Sequence, residues 1–265
     1  LWTEQHAHRQ GTRLFKWYMN RQEGKLARDA DLVTTVSSRF ASRMSARYGI
    51  PVPTVVYSGT VGCSGESSDA QLPIRLYFQG SISPDRGLEE IVESMNGLQG
   101  IATLTVQGRG SLEERLRQLV ELRGLADLVR FVPPCAPSEV AQAAADYDVG
   151  IVAGRPQSLN ARLTTPNRPF AYFGGGLAIV TSAELEEVAE IVRRYECGVV
   201  LRESGPVALA DALREMADNL PSLERMKAGS LRACRDFEWN KQFAPVARFL
   251  LHALNASDLA REDSA

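Results

Sequence analysis

Ile74-Arg75-Leu76-Tyr77-Phe78-Gln79-Gly80-Ser81-Ile82-Ser83-Pro84-Asp85-Arg86-Gly87-Leu88 reads as a strand, a turn and the start of a helix in one run. Ile74 to Phe78 has the apolar, β-favouring character of a buried strand. Gln79 to Gly87 is polar and closes on a glycine, and from there Leu88, Ile91, Val92, Met95 and Leu98 recur at helical spacing. The alternation repeats downstream. Strands are expected at Ile101 to Val106, Leu128 to Val132, Val149 to Ala153, Leu177 to Val180 and Val199 to Leu201. Helices are expected around Leu112, Leu116, Leu119 and Val120, at Val140 to Ala145, Asn167 to Phe173 and Leu185 to Val192, and around Leu209, Ala212, Leu213 and Met216. Residues 221–256 read as helical with breaks. Short β-α-β connections require parallel strands, and right-handed crossovers then cover both faces of the sheet. The expected fold class is α/β, a Rossmann-like doubly wound parallel sheet.

Upstream, residues 11–29 carry Leu14, Phe15, Tyr18, Met19 and Leu26 at roughly helical spacing. Asp31 to Val36 is a short strand pattern, and Ser37-Ser38 offers an N-cap for a helix from Arg39 to Tyr48 that Gly49 ends. Val52 to Tyr57, broken by Pro53, is another strand pattern. Residues 58–73 are rich in Gly and Ser. The expected organisation is the tail of a second α/β domain at 1–58, a linker at 59–73, the sheet domain at 74–236, and a C-terminal helix and tail at 237–265. The chain opens at Leu1 without a signal-type stretch and reads as missing an upstream part.

Composition narrows the classes. Thirty basic and 32 acidic residues in 265 leave a net charge of −2, so no basic excess points to nucleic acid. No apolar run reaches the roughly 18 residues of a membrane span. Cys63, Cys135, Cys197 and Cys234 are scattered without a CxxC pair, and are expected to be reduced thiols of a cytoplasmic protein. His6, His8 and His252 lie at the chain ends, which leaves little for a histidine triad or metal cluster. No metal and no cofactor are expected.

A parallel sheet binds ligands at the carboxyl ends of its strands, where helix N-termini attract phosphates. Three loops there carry suitable residues. Gly80 allows close approach, Ser81 offers a hydroxyl, and Arg86 a fixed fork of donors; the bland reading is a βα turn with a solvated arginine. Gly108-Arg109-Gly110-Ser111 suits a phosphate cradle or a tight turn, and Glu113 breaks the dinucleotide fingerprint. The third runs from Gln157 to Arg168 and contains Ser158, Asn160, Thr165, Pro166 and Asn167. Thr165 or Asn167 is its expected helix cap, and Arg168 in the first turn opposes the helix dipole unless an anion sits nearby. Otherwise it is a surface loop. Pro133-Pro134 forms a rigid strand-end loop suited to flank a nucleobase. Gly174-Gly175-Gly176 reads as a helix end with tight packing, Asp146 and Asp148 as element boundaries rather than a metal pair, and Trp2, Trp17 and Trp239 as packing residues.

Taken in order, these segments resemble the donor-binding domain of a family-4 glycosyltransferase of GT-B architecture. Tyr77 to Ser83 with Arg86-Gly87-Leu88 is similar to the family's first strand and loop. Leu104 to Gly110, Val129 to Pro134, Tyr147 to Ile151 and Thr165 to Val180 match its later motifs, and Ala30 to Ser37 resembles the strand that ends its N-terminal domain. The resemblance implies a nucleotide-diphosphate sugar donor, an acceptor of unknown kind, and transfer with retention, in polysaccharide or glycolipid assembly. It makes Arg86 and Arg168 the catalytic cations. It sets Gly80, Ser81, Gly108, Arg109 and Gly110 beside the phosphates and Asn167 beside the sugar or ribose. Residues 1–58 become the remnant of an acceptor-side domain whose missing part would carry peripheral membrane contact. A complete half needs about 100 residues or more, and the donor half alone is expected to bind and turn over poorly.

Two departures stand out. Ala171 replaces the family's ribose-binding glutamate, and Leu163 occupies the earlier acidic position of its E-x7-E pattern. Ala178 also replaces a usual proline. The lost carboxylate at Ala171 supports an alternative, a degenerate domain that binds a nucleotide or a partner without turnover. A dinucleotide-dependent oxidoreductase is disfavoured by the broken fingerprint.

Overall fold

The structure, a computed structural model, describes residues 13–60, 62, 63 and 69–262. Trp2, His6, His8 and linker residues 61 and 64–68 lie outside the described residues. The front segment runs α1 (Arg13–Asp29), β1 (Thr34–Thr35), α2 (Ser38–Tyr48) and β2 (Thr54–Val55). Ser37 caps α2 by accepting from the Phe40 amide, and Gly49 closes it at φ +64°, as the sequence predicts. The two strands are shorter than expected. They pair in parallel only where Thr54 and Val56 donate to Val33 and Thr35, because Pro53 has no N–H to extend the ladder.

The main domain then alternates: β3 (Ile74–Gln79), a 3₁₀ turn (Pro84–Arg86), α3 (Leu88–Ser94), β4 (Ala102–Gln107), α4 (Glu113–Leu122), β5 (Val129–Val132), α5 (Val140–Ala144) and β6 (Val149–Val152). It continues with α6 (Leu159–Leu163), α7 (Arg168–Gly175), β7 (Ala178–Ser182), α8 (Glu186–Tyr195), β8 (Gly198–Leu201), α9 (Pro206–Asp218), α10 (Leu220–Asp236) and α11 (Trp239–Glu262). Six parallel strands lie in the order β5-β4-β3-β6-β7-β8. The order reverses between β3 and β6, so the crevice expected to hold a ligand opens beyond those two strands.

The pleat sorts the core. Ile74, Leu76 and Phe78 of β3 face one side, with α3, Leu116 and Val120 of α4, and Leu209 and Leu213 of α9. Tyr77 faces the other, with Phe170, Tyr172 and Phe173 of α7, Val188 and Ile191 of α8, and Phe237. Gly150 makes room for this second layer, since a Cβ there would overlap the Tyr172 ring. Gly150→Ala is therefore expected to cost about 1–3 kcal/mol through overpacking, read from the urea midpoint. A midpoint equal to the wild type would refute that contact.

Two expectations change. The stretch from Gln157 to Arg168 is not all loop, for it contains α6. Ser158 caps that helix by accepting from Ala161 at 3.1 Å, and Leu159 and Leu163 pack against Phe40, Tyr48 and Ile50 of the front segment. So short a helix is held by tertiary packing rather than by propensity. Nor are all four cysteines reduced. Cys63 and Cys234 form a disulfide across a sequence separation of 171, because the end of α10 folds back beside Gly59, Thr60, Gly62 and Cys63. Thr60 bridges Glu238 there and its hydroxyl donates to Cys234 O, so the described start of the linker is pinned to the domain. Cys135 and Cys197 remain free. The triple glycine behaves as read: Gly174 and Gly175 pack on Ala141 and Ala144, and Gly176 ends α7 at φ +69°. Trp17 and Trp239 stay largely exposed, the latter stacked on Phe243.

Candidate functional site

A cleft of about 480 Å³ opens at the carboxyl ends of β3 and β6. Its walls are the 3₁₀ turn with Asp85 and Arg86, residues 153–158 after β6, Asn160 and Ala161 of α6, and Pro166, Asn167 and Arg168 at the start of α7. The first two walls are held together by glycines. A Cβ on Gly87 would stand 2.9 Å from Gly154 Cα, and one on Gly154 would stand 3.2 Å from Arg86 O. Both positions have positive φ, so side chains there would strain the backbone as well as clash.

Arg168 is the unusual group. It occupies the first turn of α7, where the helix dipole repels a cation. Its guanidinium lies 4.5 Å from the Phe78 ring centre and faces the Tyr172 hydroxyl, yet buried Nη1 has no hydrogen-bond partner. Burial first, and the like charge of Arg86 second, pull its pKa below the ordinary arginine value. Asp85 sits beside this pair. The Ser83 hydroxyl, and then Arg86, hold its carboxyl below the usual range. Cations packed together, with a donor left unsatisfied, form a site for an anion. The start of α7 adds little to this, for Pro169 has no N–H and the Phe170 amide donates to Asn167 O at 3.2 Å, which leaves the Arg168 amide.

The structure gathers Arg86, Ser158, Asn160, Pro166, Asn167 and Arg168 around the cleft. Gly80 lies just behind, where an added Cβ would be 3.7 Å from Arg168 Cδ. Gly108 and Gly110 join the first two loops. Their missing side chains let the second loop lie flat on the first, where Ile82 N donates to Arg109 O and Leu112 N to Ile82 O. Ser81, Arg109 and Gly110 are exposed, and Pro133 and Pro134 are exposed after edge strand β5; none is among the lining residues. Thr165 is buried and outside the lining, and its hydroxyl has no partner. Ser58 claims the side chain of Asn167, donating to Oδ1 at 2.8 Å.

Two features escape a sequence reading. Arg155 lines the cleft from the loop after β6. Glu187 of α8 is buried and accepts from the Ser38 amide at 2.9 Å, the Arg39 amide at 3.3 Å and the Tyr57 hydroxyl at 2.5 Å. It thereby supplies acceptors for the free amides of α2. Burial and this carboxylate raise the Tyr57 pKa. Ser37 Oγ also donates to Leu163 O at 2.6 Å, so residues 37–58 are fixed to the rim of the cleft. No signal in the sequence separates Glu187 from its acidic neighbours Glu184, Glu186 and Glu190.

Comparison with known proteins adds to this geometry. The sequence model of the family described as "Glycosyl transferases group 1" matches residues 73–219. The D-inositol 3-phosphate glycosyltransferase of Thermomonospora curvata is 29% identical over 152 residues, which are 57% of this chain and 33% of that protein. The pneumococcal O-GlcNAc transferase GtfA, solved with UDP and GlcNAc, superimposes with a TM-score of 0.72 at 15% identity over 91% of this chain and 48% of its own. Anabaena HepE, solved with UDP-glucose, gives 0.71 at 15% identity over 91% and 70%. The chain thus spans about a third of the curated relative and about half of the pneumococcal enzyme.

Proposed function

The chain belongs to the glycosyl transferases group 1 family, and from that premise we propose that it is the donor-binding part of a retaining, family-4-type glycosyltransferase. Its parallel sheet has the Rossmann-like form of the C-terminal domain in GT-B glycosyltransferases. One observation carries the proposal: Arg86 and Arg168 converge at the switch point of the sheet, and Arg168 holds an unsatisfied buried donor there. A nucleotide-bound diphosphate supplies the missing acceptors. As the bond from the sugar's anomeric carbon to the diphosphate oxygen breaks, charge grows on that oxygen. In this reading Arg86 and Arg168 stabilise it. The acceptor oxygen bonds the same carbon on the face that the diphosphate leaves, and its proton passes to the departing phosphate. This route needs no protein nucleophile. Ser158, Asn160 and Asn167 are the neutral groups within reach of sugar and ribose hydroxyls. The acceptor belongs to polysaccharide or glycolipid assembly in this reading.

A second reading keeps the binding and drops the turnover. Leu163 points into the cluster around Phe40, and Ala171 is half-buried, so neither position offers the ribose a carboxylate. Calorimetric titration with UDP and GDP tests the binding common to both. Saturable binding of at least one is expected, weakened by Arg86→Ala by about 1.5 kcal/mol for a lost charged hydrogen bond. Failure of both nucleotides would reject the two readings together. Steady release of nucleotide from a bound sugar donor separates enzyme from binder.

A further inference from the structure

Three arginines, Arg86, Arg155 and Arg168, line the cleft against one acid, Asp85. Asp85 is already engaged, by the Ser83 hydroxyl and by Arg86 Nε at 3.6 Å. Arg155 is not engaged: among the described residues its guanidinium makes no hydrogen bond or ion pair, and only its backbone oxygen is used, by Gln157 Nε2. The touching backbones of Gly87 and Gly154 place Arg86 and Arg155 on abutting loops, one residue either side of the contact. The other polar lining groups, Gln157, Ser158, Asn160, Thr164 and Asn167, are neutral and suit hydroxyls. A diphosphate accounts for two of the cations. A third, exposed at the edge of the same concave site, adds repulsion that solvent screens in part and a further anion relieves more fully. Its planar fork matches a carboxylate or phosphate rather than a hydroxyl.

We infer that the cleft accepts a second anionic group besides the diphosphate, bound by Arg155 and carried either on the transferred sugar, as in a uronic acid, or on the acceptor, as a phosphate. This rests on the donor-binding reading. The test has two calorimetric arms, each run on the wild type and Arg155→Ala. The donor arm compares UDP-glucuronate with UDP-glucose, or GDP-mannuronate with GDP-mannose where GDP is the nucleotide bound. The acceptor arm adds glucose 6-phosphate to protein saturated with the nucleotide, with glucose as control. One arm is expected to favour its anionic probe by about threefold to tenfold, the range for a partly exposed charged pair. Arg155→Ala is expected to remove the preference, weakening the anionic probe more than its neutral counterpart. Added salt is expected to shrink the preference in the wild type. Preference in the donor arm assigns the charge to the sugar, and preference in the acceptor arm assigns it to the acceptor. Nucleotide binding with no Arg155-dependent preference in either arm overturns the inference alone. No nucleotide binding at all overturns the donor-binding reading, and this inference with it.

Discussion

Asp148→Ala is expected to destabilise the protein by about 3–5 kcal/mol, the range for breaking a buried ion pair from one side. Asp148 and Lys227 are both fully buried. The carboxylate accepts from Lys227 Nζ at 2.9 Å and from Arg75 three times, through the backbone amide, Nε and Nη2, each at 2.9 Å. These bonds join α10 to the amino ends of β3 and β6, at the opposite end of the sheet from the cleft. Alanine takes away the carboxylate bonded to the Lys227 ammonium, and that of Glu224 stands farther off at 3.9 Å. A buried ammonium that loses its close counter-charge costs far more than the ion pair was worth. Urea denaturation measures the loss. The double variant Asp148→Leu with Lys227→Met is expected to regain only part of it, because it removes the stranded ammonium but leaves the Arg75 amide and guanidinium without the Asp148 acceptors. Nucleotide affinity of the folded single variant is expected to match the wild type. A loss below about 1 kcal/mol would show that the cluster acts like a surface pair.

The sequence revealed the sheet because a parallel sheet covered on both faces writes apolar runs into its strands. Val149 to Val152 and Ala178 to Ser182 are buried at every position, and both stand out by eye. Arg86 and Arg168 were legible for a related reason, since a strand end followed by a helix start can be located from the pattern alone. What stayed hidden depends on partners distant in the chain. Asp148 and Lys227 are 79 residues apart, and Ser38 and Glu187 are 149 apart. Helix α6 is too short to show a period, and its apolar residues pack against the front segment, far away in the chain. The glycines at 108 and 110 have the spacing of a phosphate cradle, but a glycine that admits a ligand and one that admits a neighbouring loop look alike in sequence. The backbone of Gly80 to Ile82 fills the space they leave. Cys63 and Cys234 likewise give no sign of pairing until the fold brings their Cα atoms to 6.2 Å.

The other large effect concerns Arg168, where function and stability are expected to move in opposite directions. Arg168→Met is expected to slow nucleotide release from the sugar donor by about 10²–10³-fold, or 2.7–4 kcal/mol, as removal of a donor aimed at developing charge does elsewhere. A structural arginine would instead stabilise the empty protein through its bonds. Here the guanidinium is desolvated, repelled by Arg86 and by the helix dipole, and left with Nη1 unpartnered. Methionine sets an uncharged tip near Phe78 and removes each of those penalties, giving up the cation–π contact of the guanidinium with that ring. The unliganded variant should therefore unfold at a urea midpoint equal to or above that of the wild type, while added nucleotide stabilises it less. Arg168→Lys sharpens the point. It keeps a positive charge but not the planar fork, so it is expected to recover only part of the rate. Unfolding curves with and without nucleotide, together with release rates, separate the two roles. A variant that loses stability while keeping its release rate would make Arg168 a scaffold residue and leave the cleft without its principal cation.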